Sequence, residues 1–192
     1  MKIILRLLFL TLFIFSCDSP TESEPEGCDG ISGSGLVIDE CGNCPGEEVI
    51  SVKIWGDCYD IDSTIVLECN NCSLDDIPDE IESLLNLQEL KLGNNDIIQL
   101  PDFITSLSNL KVLEVFNNQL TELPSNIGNL VNLESLKVYE NELSCLPESI
   151  CDIPVSCSID LRYNNICPEC IYECIDITDN DDLGIQDTSD CP

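Results

Sequence analysis

The chain has 192 residues, of which 37 are acidic, seven are basic and none is histidine, for a formal charge of −30. Without histidine there is no Ser-His-Asp or Cys-His nucleophilic site, no histidine-ligated metal and no imidazole acid–base chemistry. A field of this sign disfavours nucleic acid and anionic lipid headgroups as partners.

The N-terminus carries Lys2 and Arg6 within an apolar run that ends at Phe15, followed by Ser16-Cys17-Asp18. This pattern predicts a secretory signal over residues 1–16, because the run is shorter than the roughly 20 apolar residues a membrane-spanning helix needs. The segment Ile14-Phe15-Ser16-Cys17 resembles a bacterial lipobox. That resemblance implies that Cys17 becomes the lipidated first residue, anchoring the chain by its acyl group to a bilayer of the cell envelope and outside the cytoplasm. A plain cleaved signal would instead give a secreted protein. Residues 17–27 are acidic and rich in Ser, Pro and Glu, the composition of a disordered tether. None of the 37 acids lies in the leader, so the remainder carries them against only five bases, a balance that reads first as solubility.

Residues 28–64 form a Cys/Gly-rich segment with Cys28, Cys41, Cys44 and Cys58. The run from Asp39 to Gly46 resembles short DECGxCxG modules of bacterial surface proteins, to which no chemistry is attached. Trp55 to Tyr59 is expected to pack over the apolar end of the segment C-terminal to it.

From about residue 65 the chain becomes periodic. Ile77-Pro78, Leu100-Pro101, Leu123-Pro124 and Leu146-Pro147 recur every 23 residues, in step with three columns: Leu90, Leu113, Leu136, Ile159; Leu92, Val115, Val138, Leu161; and Asn95, Asn118, Asn141, Asn164. Such columns require one stacked unit per period, hence a solenoid. The LxL alternation predicts parallel strands at about 66–70, 89–93, 112–116, 135–139 and 158–162, the first found by counting back one period to Leu67, Cys69 and Cys72. Each proline opens a return limb, with short helices or 3₁₀ turns at about 79–85, 102–107, 125–130 and 148–152; Ile81, Leu84 and Leu85 recur at helical spacing there. The aligned units read LPxxIxxLxNLxxLxLxxNxL, which closely resembles the leucine-rich repeat family over roughly residues 65–166. The resemblance implies an α/β leucine-rich repeat solenoid, a short curved horseshoe with five parallel strands on its concave face, helices or 3₁₀ turns on its convex face and Cys-rich caps. It also accommodates Cys72 in place of the ladder asparagine.

Residues 167–192 read as a Cys-rich cap and an acidic tail. Residues one period apart on adjacent coils lie close enough for a disulfide. Cys151 and Cys174 are so related, with Cys151–Cys157 as a local alternative; Cys145 advanced by one period falls at Pro168, between Cys167 and Cys170. The CxxC pairs Cys41/Cys44, Cys69/Cys72 and Cys167/Cys170 are read as disulfide cysteines rather than a zinc site. Setting Cys17 aside leaves an odd number of cysteines, so at least one lies outside intrachain pairing. Asp176, Asp179, Asp181 and Asp182 lack the sixth-position glycine and terminal glutamate of an EF-hand and read as a solvated tail.

No P-loop occurs and no carboxylate pair stands apart from the many others, so neither an enzyme nor a cofactor or metal is expected. The outward strand positions are more informative. Glu68, Lys91, Glu114, Lys137 and Asp160 alternate in sign down the sheet, a pattern that neutralises itself. Beside them run Asn70, Gly93, Phe116, Tyr139 and Arg162, with Tyr163 one place on. Aromatic side chains outside the LxL positions, next to arginine, are the residue types of protein interfaces. Lys91, Glu114, Phe116, Lys137, Tyr139, Arg162 and Tyr163 are therefore the candidate binding residues. Because the leucine-rich repeat resemblance implies a ligand-binding scaffold, the expected role is attachment of a protein or glycan at the cell surface; a structural envelope spacer without a specific ligand is the alternative.

Overall fold

The computed structural model describes residues 38–45, 49–175 and Gln186. The expected signal over 1–16, Cys17 with its expected acylation, the expected tether over 17–27, Cys28 and the segment from Asp176 read as an acidic tail lie outside them. Among the described residues no helix is long and apolar enough to cross a membrane.

The first strands among the described residues form an antiparallel hairpin, β1 (Ser51–Ile54) and β2 (Asp57–Asp60). Trp55 and Gly56 form its two-residue turn, both at positive φ (49° and 97°), the twist that suits a tight hairpin. Ile54 is fully buried, and Val52, Trp55, Tyr59 and Ile61 pack on the solenoid's apolar end. The preceding loop is pinned to this hairpin. Asn43 Nδ2 donates to Ser51 O, Asn43 Oδ1 accepts from the N–H groups of Ile50 and Ser51, and Cys41 is bonded to Cys58. Asp39 completes the knot by accepting from Asn43 Nδ2 and from two backbone N–H groups, bonds that hold its carboxyl below the usual value.

Five parallel strands come next, adjacent in sequence order: β3 (Val66–Glu68), β4 (Glu89–Lys91), β5 (Val112–Glu114), β6 (Ser135–Lys137) and β7 (Ser158–Asp160). Pairing is offset by one period throughout, Leu67 to Leu90 to Leu113 to Leu136 to Ile159. The strands are three residues long, shorter than the LxL pattern predicts. Hydrogen bonds to the next coil continue past them, but Asn71, Asn94, Asn117, Glu140 and Tyr163 take left-handed backbone conformations and turn the chain out of the sheet.

The return limbs at 79–83, 102–106, 127–129 and 148–152 are 3₁₀ turns. Pro78, Pro101 and Pro147 stand just before the helical residues in extended backbone, and these carbonyls and that of Pro124 accept from the N–H groups of Ile81, Ile104, Ile150 and Ile127. With three residues per turn, positions i and i+3 share a face and i+4 is rotated away. Ile81 and Leu84 are accordingly buried, while Leu85 is 58% exposed, against the helical reading that grouped all three. Gly128 lets two of these turns pack closely. A Cβ there would overlap Ser149 O, so Gly128→Ala is expected to cost about 1–3 kcal/mol, measurable by urea denaturation.

Between sheet and return limb runs a core of stacked Leu, Ile and Val, and the asparagine ladder closes each turn. Asn118 is typical: Nδ2 donates to Leu92 O and Val115 O, and Oδ1 accepts from Ile97 N. Each rung thus binds its own coil and the previous one. At the C-terminal end Gln186 supplies the next carboxamide, its Nε2 donating to Leu161 O and its Oε1 accepting from Ile166 N. At the N-terminal end no coil precedes the first, and a Cys69–Cys72 disulfide occupies the ladder position. A second, outer ladder joins Asn86, Asn109 and Asn132 to carbonyls of the preceding coil.

Cys151 is bonded to Cys174 and Cys145 to Cys170, so the local alternative from Cys151 to Cys157 is not formed. Cys44 and Cys167 are also disulfide-bonded. All six sulfurs of the CxxC pairs are thereby in disulfides. Cys157 is half-buried on the last coil, beside Ile159, which is half-buried where the matching leucines of earlier coils are fully buried.

Candidate functional site

Alternation along each strand sends the residues flanking the central leucine, and the next one at the same parity, to the concave face. Stacking turns these into three columns. The first is Val66, Glu89, Val112, Ser135, Ser158; the second is Glu68, Lys91, Glu114, Lys137, Asp160; both are set by the strand register. The third, Asn70, Gly93, Phe116, Tyr139, Arg162, lies just beyond the strands, where backbone bonds between coils persist.

In the third column the side chains form one continuous stack. The rings of Phe116 and Tyr139 are parallel within 6°, with centroids 4.8 Å apart, about the spacing of the strands that carry them. The Arg162 guanidinium lies over Tyr139, 5.8 Å from its centroid. Phe116 leans the other way onto Gly93, whose missing side chain makes the room: a Cβ would overlap the ring. Asn70 Oδ1 accepts from Gly93 N and fixes that end. Both faces of Tyr139 are therefore covered, by Phe116 and Arg162. Gly93→Ala should dislodge Phe116 and cost the pair about 1 kcal/mol, seen as shifted Tyr139 ring resonances in an otherwise unchanged NMR spectrum.

The charged column pairs differently from a simple alternating ladder. Lys137 Nζ meets Glu114 Oε1 across strands at 2.8 Å. Lys91 instead meets Glu89 of its own strand at 2.6 Å, and Arg162 binds Asp160 two residues back through Nε (2.8 Å) and Nη2 (2.6 Å). Residues two apart on a strand share a face, so Glu89 of the first column takes Lys91 and Asp160 of the second takes Arg162. Lys91 is held protonated above its usual range by the bond to Glu89, reinforced by the charges of Glu89, Glu114 and Glu68. Burial pushes the Tyr139 hydroxyl up, as do Glu140 and Asp160. Tyr163 stands in the turn column after Arg162, outside the stack.

Six of the seven candidate residues thus converge on one face, joined by Glu89, which sequence reasoning passed over, and by Gly93, which it placed in the column but not among the binding residues. On the flank, the Leu-Pro turns leave an open groove of about 560 Å³ lined by Gln99, Thr121, Glu122 and Ser144. It gathers no aromatic cluster.

A family model described as a leucine-rich repeat region matches residues 66–145. The fold is a leucine-rich repeat solenoid. Among solved structures, the leucine-rich repeat ectodomain of the receptor kinase SOBIR1 from Arabidopsis thaliana is 25% identical, with a TM-score of 0.50, over 68% of this chain and 73% of that one. A leucine-rich repeat protein of Leptospira interrogans is 27% identical over 54% of this chain and 32% of its own, with a TM-score of 0.43. An internalin from Listeria monocytogenes is 26% identical over 47% of this chain and 26% of its own, also with a TM-score of 0.43. This chain therefore spans about a third of the Leptospira protein and a quarter of the internalin. A search of curated proteins returned no match.

Proposed function

We propose that this leucine-rich repeat chain is a non-enzymatic surface protein that binds a protein ligand through its concave face and is tethered outside the cytoplasm by an acylated Cys17. The observation that carries the reading is the Gly93–Phe116–Tyr139–Arg162 stack. Its rings and guanidinium are stacked on one another without any ligand, an arrangement that lowers the ordering cost of binding. Sugars recognised through aromatic residues pack on ring faces, whereas here the faces of Tyr139 are occupied; ring edges, a hydroxyl and a guanidinium are what the stack presents, and these suit a polypeptide. The disulfides agree with an oxidising compartment. Five short strands offer roughly 300 Å² of projected sheet against about 800 Å² per partner in a standard interface, so the flanking turns must contribute or the affinity must be modest.

The test is crosslinking on intact cells with the wild-type chain and with Phe116, Tyr139 and Arg162 replaced by alanine. The variant is expected to lose specific crosslinked partners; an unchanged set would favour the envelope spacer. The mass of the mature N-terminus checks the anchor separately, and an unmodified Cys17 would refute it.

A further inference from the structure

We infer that the ligand segment taken by the concave face is cationic, a Lys/Arg-bearing stretch of polypeptide laid across the strands against the Phe116–Tyr139 stack. The inference rests on the reading of that face as a protein-binding surface and adds the chemistry of its partner. Every basic residue among the described residues is already held by a carboxylate of this chain: Lys53 by Glu40, Lys91 by Glu89, Lys111 by Glu134, Lys137 by Glu114 and Arg162 by Asp160. An anionic ligand would have to share each of these cations with a carboxylate already bound to it, or displace that carboxylate. It would also approach a chain whose formal charge is −30.

A cationic segment meets the opposite situation. Glu68 stands at the N-terminal end of the charged column, bonded to the neutral Asn70 carboxamide. Glu140 is exposed in the turn column beside Tyr139, and Glu142 is exposed two residues on. Carboxylates also outnumber cations at the cation-bearing centre: Glu89, Glu114 and Glu68 act on Lys91, and Glu140, Asp160 and Glu114 act on Tyr139 against the single cation Lys137. The acids therefore flank a half-buried aromatic stack from both sides, an arrangement in which charge steers the segment and apolar contact holds it.

The experiment pans a random twelve-residue peptide display library on the full chain. Peptides combining Lys or Arg with apolar residues should be enriched, and synthetic copies should lose about tenfold in affinity when salt rises from low to several hundred millimolar. Phe116→Ala/Tyr139→Ala should weaken them by about tenfold or more, and Glu68→Gln/Glu140→Gln by a smaller factor through the association rate. Acidic or uncharged peptides that depend on Phe116 and Tyr139 would overturn the charge assignment while leaving the concave face as the binding surface. Basic peptides indifferent to the aromatic substitutions would overturn both, as would an absence of enrichment.

Discussion

Replacing Asn118 by alanine is expected to lower the unfolding free energy by about 2–4 kcal/mol, a large loss for the exchange of one polar side chain. Its hydrogen bonds are not equivalent, and the inequality sets the size. The carboxamide is the acceptor for Ile97 N, which alanine would leave buried and unpaired, at about 1–3 kcal/mol. The carbonyls it serves fare better: Leu92 O also accepts from Asn95, and Val115 O also accepts from Asn141. Each keeps one partner, so the remaining loss is smaller than two orphaned groups would give. Asn109, on the outer ladder, makes a single exposed bond to Leu85 O, and Asn109→Ala should cost well under 1 kcal/mol. Chemical denaturation of the two variants side by side checks the contrast. Equal losses would mean that the inner ladder does not hold the coils together as its bonds imply.

The ladder also marks how much the sequence revealed. One period carries the inward columns, the turn asparagines and the strand register at once, because stacking repeats each contact at a fixed offset. Reading any of these columns therefore yields its neighbours. The limits appear where the offset stops. Gln186 serves the last rung one residue short of the next period, its longer side chain making up the distance, and no column leads to it. The capping hairpin likewise lies outside the period. Its turn is Trp55-Gly56 rather than the Asn-Gly or Asp-Gly that would have announced it.

At the candidate site the column of Phe116, Tyr139 and Arg162 was legible, because exposed aromatic residues stand out against an alternating background. Its seating was not. Gly93 looks like a gap in that column, yet it is the position that lets Phe116 lean over and the stack form. Glu89 was passed over for a related reason: attention to the alternating column hid a carboxylate two residues away on the same face, where Lys91 finds its partner. Side-chain direction along the sheet, unlike register, depends on which neighbour is nearest in space, and a single sequence does not display that.

The second large effect is expected at the C-terminal cap. The Cys151–Cys174 and Cys145–Cys170 bonds span 23 and 25 residues and cross between the last full coil and the segment that covers it. Closing loops of that length in the unfolded chain accounts for about 3 kcal/mol per bond in the chain-entropy description. The two loops overlap, so the second bond adds less than the first. The native side of the balance points the same way. Ile159 is only half-buried, Val155 projects fully into solvent and Ile153, Ile166 and Ile175 form a thin apolar cover, so β7 has little hydrophobic stabilisation beyond its neighbour and the disulfides. Cys174→Ser, which leaves the overlapping Cys145–Cys170 loop closed, should therefore cost about 2 kcal/mol. In a solenoid, where each coil contacts only its neighbours, the loss should be local: amide exchange should accelerate in β7 and over 148–152 while β4 and β5 keep their protection. Cys72→Ser offers the comparison, because the Cys69–Cys72 bond joins residues three apart in a turn already held by Asn95, which accepts from Cys72 N and Leu74 N and donates to Cys69 O. Its removal should leave exchange on β3 nearly unchanged. Uniform acceleration across all five strands in Cys174→Ser would show instead that the coils unfold as one unit, with the cap bonds stabilising the whole solenoid rather than its last turn.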